Sequence, residues 1–218
     1  MNKILILANS ASGLYDFRNE LILELLKVYE VHISLPDKEQ VPQLAEEGCR
    51  MHHTAIDRRG VNPVRDLKLL YSYWKLIYRI KPKIVLTYTI KPNIYGNICC
   101  RLQGVPYIVN ITGLGSAFEN GGVIQKIVTI LYRVALKNAA CIFFQNQENQ
   151  RIFVQFRICG KKSRLVSGSG VNLDRHCVQE YPLEEEHMIF LYVGRIMKEK
   201  GIDELLYTAE AVHKEYPK

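Results

Sequence analysis

Short apolar runs alternate with longer segments of helical periodicity along most of the chain. The short runs are rich in β-branched and aromatic residues, which is typical of strands, whereas the longer segments repeat apolar residues every three or four positions. The predicted strands are Lys3–Ala8, Glu30–Ser34, Arg50–Thr54, Lys83–Thr87, Pro106–Asn110, Ala140–Phe144, Arg164–Ser167 and Met188–Val193. The predicted helices are Phe17–Val28, Val64–Ile80, Ile94–Leu102, Val123–Lys137, Gln147–Phe156 and Asp203–Tyr216.

This alternation predicts an α/β fold with a doubly wound parallel sheet. Strands that are apolar throughout are buried on both faces, and parallel strands need a helical crossover between them. In such folds, ligands bind beyond the carboxyl ends of the strands. The expected functional loops are therefore those that follow strands, at residues 9–16, 88–93, 111–120 and 145–148.

The segment 174–187 has a different character, because acidic residues crowd around Pro182 without periodicity. Such a composition is typical of a linker. We therefore divide the chain into a domain at residues 1–173, a linker at 174–187, and the first βα unit of a second domain at 188–218. One βα unit cannot bury both faces of a sheet, so the second domain is expected to be incomplete and the chain truncated.

Composition places the chain among cytoplasmic proteins. Apolar residues make up 48% of its 218 residues, which is ample for a core. No apolar run reaches the ~18 residues that span a bilayer, and the run Ile4–Leu7 is too short for a signal peptide. The six cysteines form no C-x-x-C pair and no metal-like spacing with histidine. We therefore expect free thiols in a reducing compartment and no bound metal.

The net charge of +7 is concentrated between Asp57 and Arg101, where ten Lys or Arg residues accompany two Asp. Such a region attracts an anionic membrane surface, a phosphorylated substrate or nucleic acid. Nucleic acid is disfavoured because no recognition motif accompanies the charge. Within this region, two interpretations of the helix 64–80 stay open. Its apolar stripe either packs into the core, which is the commoner case, or lies on anionic lipid. The stripe comprises Val64, Leu67, Leu70, Tyr71, Trp74, Ile77 and Tyr78.

Three loops carry candidate binding residues. The loop after the first strand contains Gly13 but lacks the G-x-G-x-x-G pattern, which disfavours a nicotinamide or flavin cofactor. Arg18 stands at a predicted helix start, where a cation opposes the helix dipole. It is therefore either solvated or paired with a bound anion. Gly113 and Gly115 suggest backbone contact with a substrate. Lys91 lies on the same rim and either meets an acceptor diphosphate or is solvated.

The segment 190–206 carries the clearest motif. An apolar run ends at Gly194, Arg195 and Lys200 follow, and Gly201 precedes a helix whose expected N-cap is Asp203. A strand that leads through glycine to a helix start offers free amide groups and a positive dipole end to an anion. The alternative is an ordinary βα unit with solvated cations. The motif favours a diphosphate ligand.

The Gly-Arg-x4-Lys-Gly sequence at 194–201 resembles the donor-site signature of the glycosyltransferases of family four, which are retaining enzymes of the two-domain GT-B fold. The stretch 168–174 is similar to the family's G-x-G-V-D-x-x-x-F motif, although Asn172 replaces its Asp and its Phe is missing. The stretches 89–96 and 110–118 resemble the subgroup that builds capsule and lipid-linked polysaccharides. Together the motifs cover nearly the whole chain.

The resemblance implies a Rossmann-like amino-terminal domain and a site for a nucleotide sugar, expected to be a UDP-sugar. Gly194, Arg195 and Lys200 would hold its diphosphate. The sugar pocket would be formed by the loops at Gly13, Thr112, Gly113 and Gly115, and the acceptor would meet Arg18 and Lys91. Many family members have His where Thr112 stands, so only a hydrogen-bonding role is carried over for this residue.

The resulting prediction is a metal-independent, retaining glycosyltransferase that needs no cofactor. It would act on a lipid-linked saccharide at the inner face of the cell membrane, in bacterial surface polysaccharide synthesis. As this fragment it is expected to be inactive, since most of the donor domain is missing. Two alternatives remain. One is a UDP-sugar epimerase of the same architecture, which would need carboxylates and histidines at the cleft. The other is a non-catalytic acceptor-binding module left by gene truncation.

Overall fold

The computed structural model describes residues 1–37, 42–58, 60, 62–115, 118, 122–159, 162–180, 189–194 and 196–216. The chain divides into two compact units, Met1–Val171 and Asn172–Lys218. The first unit contains the sheet and the helices that cover it. The second contains one long helix, a short 3₁₀ turn and, in the rest of its described residues, irregular chain.

The first unit is built on a seven-stranded parallel sheet with the strand order β3-β2-β1-β4-β5-β6-β7. The order reverses between β1 and β4, so that the amino-terminal strand β1 lies next to the central strand β4. The predicted doubly wound parallel sheet is confirmed. Its strands are β1 (Asn2–Leu7), β2 (Tyr29–Leu35), β3 (Arg50–His53), β4 (Ile84–Tyr88), β5 (Tyr107–Ile111), β6 (Cys141–Phe144) and β7 (Ser163–Leu165).

Helices cover both faces of the sheet. Alternate side chains of β1 enter two separate apolar clusters, one with Leu5 and Leu7 and the other with Ile4 and Ile6, as the period of a strand requires. One face is covered by α1 (Ala11–Leu26) and α2 (Pro42–Glu46). The other face is covered by α3 (Pro63–Ile80), a π-helical turn (Pro92–Gly96), α4 (Asn97–Leu102), α5 (Gly122–Leu136) and α6 (Gln147–Gln155).

Helix α1 begins six residues earlier than the sequence pattern predicts, at Ala11 instead of Phe17. The reason is a capping contact that apolar periodicity does not reveal. The Ser10 side chain accepts a hydrogen bond from the Gly13 amide at 3.3 Å. Gly13 therefore lies in the first helical turn, and Arg18 is well inside the helix and not at its start.

The apolar stripe predicted for α3 mostly faces solvent. Val64, Leu67, Tyr71, Trp74 and Tyr78 are exposed. The helix instead buries Leu69, Tyr73, Leu76, Ile77 and Ile80, so the core interpretation is wrong for five of the seven stripe residues. Apolar residues occupy two faces of α3, and the pattern alone does not say which face meets the sheet.

In the second unit the predicted strand Met188–Val193 is wrong over its described residues, 189–193, which have no strand structure; Met188 lies outside them. A strand of a parallel sheet needs a neighbour for its backbone hydrogen bonds, and this unit offers none among its described residues. The predicted helix is present as α7, Ile202–Glu215.

Candidate functional site

A pocket of about 310 Å³ lies at the carboxyl ends of the central strands, where a doubly wound sheet binds its ligands. Its wall comes from the residues that follow β1, β4, β5 and β6, from the first turns of α1, and from the chain beyond β7. The polar lining consists of Asn9, Ser10, Thr89, Thr112, Gln145 and Ser169. The Gln145 side-chain amide donates a hydrogen bond to Ser169 Oγ at 3.3 Å, so these two lining residues are linked to each other.

Two backbone amides at the amino terminus of α1, those of Ala11 and Gly13, already have partners within the protein. Asp37 accepts a hydrogen bond from the Ala11 amide at 2.6 Å, and Arg58 pairs with the same carboxylate. The carboxylate complements the positive end of the helix dipole. Asp37 therefore offsets part of the positive potential of this helix end.

Arg18 is the one charged side chain among the described residues that line the pocket. Its guanidinium carbon lies 5.4 Å from the centre of the Tyr88 ring, and the group donates to the Phe17 carbonyl at 2.6 Å. A cation over an aromatic face is held by the ring quadrupole. Burial raises the pKa of Tyr88, and Arg18 partly opposes that shift. Arg18 is thus held at the pocket wall by these two contacts and brings a positive charge to the pocket.

The three candidate residues of the loop after β5 differ in whether they line the pocket. Thr112 lines the pocket, whereas Gly113 and Gly115 do not belong to the lining. Gly115 has φ 70°, and a Cβ atom there would lie 2.6 Å from Ile90 Cδ1. Glycine is therefore required at Gly115 for the turn to pack on the β4 crossover, while open space surrounds the corresponding position at Gly113. Direct substrate contact by these two glycines stays a prediction.

Buried amide side chains hold the π-helical turn against the strand ends. Asn93 donates to the Asn110 carbonyl at 3.0 Å, and Asn110 donates to the Thr87 carbonyl at 3.3 Å. Asn97 donates to the Asn93 carbonyl at 2.6 Å and accepts from the Thr87 hydroxyl at 3.2 Å. The carboxyl ends of β4 and β5 are thereby linked to the crossover that leads away from the pocket.

Lys91 forms an ion pair with Asp66. Its Nζ lies 2.6 Å from Asp66 Oδ1, and the Tyr95 hydroxyl donates to Asp66 Oδ2 at 2.9 Å. The side chains of Lys91 and Asp66 are each 14% exposed, so the solvated interpretation of Lys91 is wrong. Lys91 is not among the lining residues of the pocket, and its contact with an acceptor stays a prediction.

The predicted donor residues belong to the second unit. Arg195 lies outside the described residues. Gly194 lies in a bend, and Lys200 ends a short 3₁₀ turn, Lys198–Lys200, on the exposed surface. Gly201, with φ 71°, is the N-cap of α7, so the predicted cap Asp203 is wrong. Asp203 instead lies in the first turn, 3.5 Å from Lys198 Nζ.

The structure thus brings Gly13, Arg18 and Thr112 together in one pocket. Tyr88, Thr89 and Gln145 also line the pocket, and they belong to the loops 88–93 and 145–148 that the sequence predicted to be functional, although none of them was named as a candidate residue. Ser169 lies outside the predicted loops. Ser169 lies in the stretch that resembles a family motif, but no role was assigned to it.

These features define the class of the protein. It is a Rossmann-like domain with a ligand pocket at the point where the strand order of its sheet reverses. The chain belongs to the Glycosyl transferase 4-like family, whose family model matches residues 3–146. The resemblance inferred from the sequence motifs is confirmed.

The sequence of the chain is similar to those of two curated glycosyltransferases. It is 29% identical over 203 residues to the UDP-Gal:alpha-D-GlcNAc-diphosphoundecaprenol alpha-1,3-galactosyltransferase of Escherichia coli, covering 86% of this chain and 51% of the relative. It is 24% identical over 198 residues to the capsular polysaccharide biosynthesis glycosyltransferase CapM of Staphylococcus aureus, covering 85% and 51%. The chain therefore spans about half the length of these relatives.

Solved structures confirm the fold. The chain matches Anabaena Alr3699/HepE, solved in complex with UDP and glucose, with a TM-score of 0.57 and 16% identity. The match covers 80% of this chain and 46% of that structure. At this identity the likeness shows the fold, which is a Rossmann-like α/β domain of the GT-B type.

Proposed function

We propose that this chain is the acceptor-side half of a retaining glycosyltransferase that moves a sugar from a UDP-sugar to a lipid-linked saccharide in bacterial surface polysaccharide synthesis. The observation that carries the proposal is the pocket, which places one fixed cation among hydroxyl and amide groups at the carboxyl edge of the sheet. The Escherichia coli relative, whose name specifies a UDP-sugar donor and a sugar diphospholipid acceptor, supports this choice of substrates. Retention of configuration rests on the family resemblance.

The lining matches the parts of such an acceptor. Arg18 provides a charge-assisted hydrogen bond for a phosphate oxygen. The amide and hydroxyl groups of Asn9, Thr112 and Gln145 suit sugar hydroxyls, which both donate and accept. The exposed ring of Phe17 offers apolar surface for the carbon face of a sugar. A few polar groups that fix orientation against apolar surface are the usual composition of a small-molecule site.

The donor diphosphate would be held by the second unit. We assign it to Gly194, Arg195 and Lys200, together with the amino terminus of α7. Negative charge grows on the leaving diphosphate in the transition state, so cations placed there accelerate the transfer. No metal is needed in this scheme, because the two side chains neutralise the charge.

The epimerase alternative has less support. The fold is shared by unrelated activities, so the decision depends on the site. Among the described residues that line the pocket, none is Asp, Glu or His, although an epimerase would need such groups to move a proton. The acceptor-binding module remains the second candidate, because a pocket without Asp, Glu or His among its described lining residues suits binding as well as catalysis.

A transfer assay tests the function. The complete gene product that contains residues 1–218 is mixed with a radiolabelled UDP-sugar and N-acetylglucosaminyl diphospholipid, and the label in the lipid extract is counted. We expect retained configuration in the product and no loss of rate in EDTA, while the 218-residue chain alone is inactive or nearly so. Strict dependence on manganese would contradict the mechanism. Failure of the complete gene product with every UDP-sugar would favour the binding module.

The protein is also proposed to bind anionic membrane as a peripheral protein at its cytoplasmic side. Helices α3, α4 and α5 lie side by side, since Gln103 donates to the Trp74 carbonyl and Arg101 to the Val134 carbonyl. Together they present what we call the basic apolar face. Its exposed apolar residues are Val64, Leu67, Tyr71, Trp74, Tyr78, Leu102, Val123, Ile124, Ile127, Ile130 and Val134.

The charges on these helices match an anionic surface. The single acidic residue on them is Asp66, which is already paired with Lys91. Exposed apolar residues among cations are the composition that binds the lipid interface. The cytoplasmic side is consistent with the six cysteines, which are all free. No helix in the described ranges is long and apolar enough to cross a membrane. The cations of the three helices are Arg65, Lys68, Lys75, Arg79, Arg101, Lys126 and Arg133.

We expect the chain to sediment with phosphatidylglycerol vesicles at low salt and to be released as salt rises, because exposed charges act over about 10 Å at 0.1 M salt. The double variant Ile127→Asp with Ile130→Asp should lose most of this binding. The matched control, Leu21→Asp with Leu23→Asp, changes exposed residues of α1 on the other side of the sheet and should bind normally. Equal loss in both variants would contradict the assignment of the face.

A further inference from the structure

Thr89, directly after β4, has a backbone conformation that β-branched residues rarely adopt, with φ 70°. In the described part of the chain, the other non-glycine residues with positive φ are Lys81 and Arg157. Each of these ends a helix, where the left-handed conformation is ordinary. Thr89 instead joins a strand to the crossover beside the pocket. Strained backbone of this kind persists only where its surroundings hold it, and it is frequent at functional sites.

The surroundings of Thr89 do hold it. The Thr89 carbonyl accepts from the Asn93 amide at 2.9 Å, and the Asn93 side chain is anchored to the Asn110 carbonyl. The turn that follows, Pro92–Gly96, is π-helical, a form that is rare and often found at functional sites. Two unusual backbone features therefore adjoin each other at the end of β4.

The Thr89 side chain is unusual as well. Thr89 lines the pocket, yet its hydroxyl oxygen is buried and has no hydrogen-bond partner among the described residues. An unpaired buried hydroxyl destabilises the folded state. Valine at this position would fill the same space without an unpaired hydroxyl, and glycine would relieve the backbone strain. A rotation of one rotamer step about the Cα–Cβ bond moves the hydroxyl to another staggered position, from which it can face the pocket that Thr89 lines.

We propose that Thr89 is a binding residue for the acceptor. The Thr89 hydroxyl turns from its unpaired position into the pocket and hydrogen-bonds an oxygen atom of the acceptor's sugar phosphate head group. The inference rests on the proposed function. Binding supplies the partner that the free protein lacks, so the strained and unpaired state of Thr89 is relieved when the ligand arrives. The hydrogen bonds of the π-helical turn keep the residue at the pocket wall before the ligand binds.

The test uses the 218-residue chain and a soluble probe in which N-acetylglucosamine is joined through a diphosphate to a short alkyl chain. Calorimetry should show that Thr89→Val binds the probe about tenfold more weakly, because one hydrogen bond is lost at constant shape. Thr89→Ser keeps the hydroxyl and should stay within about threefold of the wild type. Thr89→Gly should lose affinity like Thr89→Val without a lower melting temperature, since it relieves the strain.

The control is Lys81→Gly, which relieves a positive φ at the end of α3 and should leave affinity unchanged. Circular dichroism checks that each variant is folded; should Thr89→Val unfold, Thr89→Gly and Thr89→Ser decide. Wild-type affinity in Thr89→Val would overturn the Thr89 proposal and leave the proposed function standing. Absence of probe binding by the wild-type chain would overturn both.

Discussion

Replacing Lys91 with methionine should lower the free energy of unfolding by about 1–3 kcal/mol, because a partly buried carboxylate loses its charged partner. The change leaves the Asp66 carboxylate with only the Tyr95 hydroxyl, at a site where its side chain is 14% exposed. Water reaches this partly buried carboxylate only in part and therefore compensates its charge incompletely. The measurement is urea denaturation of the 218-residue chain followed by circular dichroism.

Two further variants make this measurement specific. Lys68→Met removes an exposed lysine from the same helix as Asp66 and should change stability by less than about 0.5 kcal/mol. The double variant Asp66→Asn with Lys91→Met removes both charges and should recover much of the loss. A Lys91→Met protein as stable as Lys68→Met would mean that the ion pair contributes nothing.

The fold was predictable because its signals are local. Short runs such as Ile4–Leu7 are apolar at every position, which is typical of a strand that is covered on both faces. The helical segments between these runs indicate that neighbouring strands pair in parallel. The errors arose where a contact decides the outcome. The Ser10 cap moved the start of α1, and the packing of Tyr73 and Leu76 selected the buried face of α3. The strand predicted at 188–193 failed for lack of a neighbour.

The site was predictable only in part. Gly13, Arg18 and Thr112 follow from the rule that loops after parallel strands meet at one edge. The strain at Thr89 could not be predicted, because positive φ is expected of glycine and asparagine and not of threonine. The pairing of Lys91 with Asp66 joins residues 25 positions apart, which no local pattern reveals.

The second large effect concerns Arg18. In Arg18→Ala we expect the affinity of the chain for the N-acetylglucosaminyl diphosphate probe to fall roughly 10- to 100-fold, since a hydrogen bond to a charged group is worth about 1.5–3 kcal/mol. Lys27→Ala is the matched control, because it removes the same charge from the exposed end of α1, where Lys27 pairs with Glu24. Equal loss of affinity in both variants would mean that net charge, and not the pocket, attracts the probe.

The central claim is that this chain holds the acceptor and not the donor. Calorimetry on the 218-residue chain with two ligands, the N-acetylglucosaminyl diphosphate probe and UDP, tests it most directly. The pocket is built on the rigid sheet, whereas the donor residues lie in a unit without a sheet of its own among its described residues. We therefore expect the probe to bind more tightly and UDP to bind only in the millimolar range, worth about 4 kcal/mol. Micromolar binding of UDP, with no binding of the probe, would contradict the account.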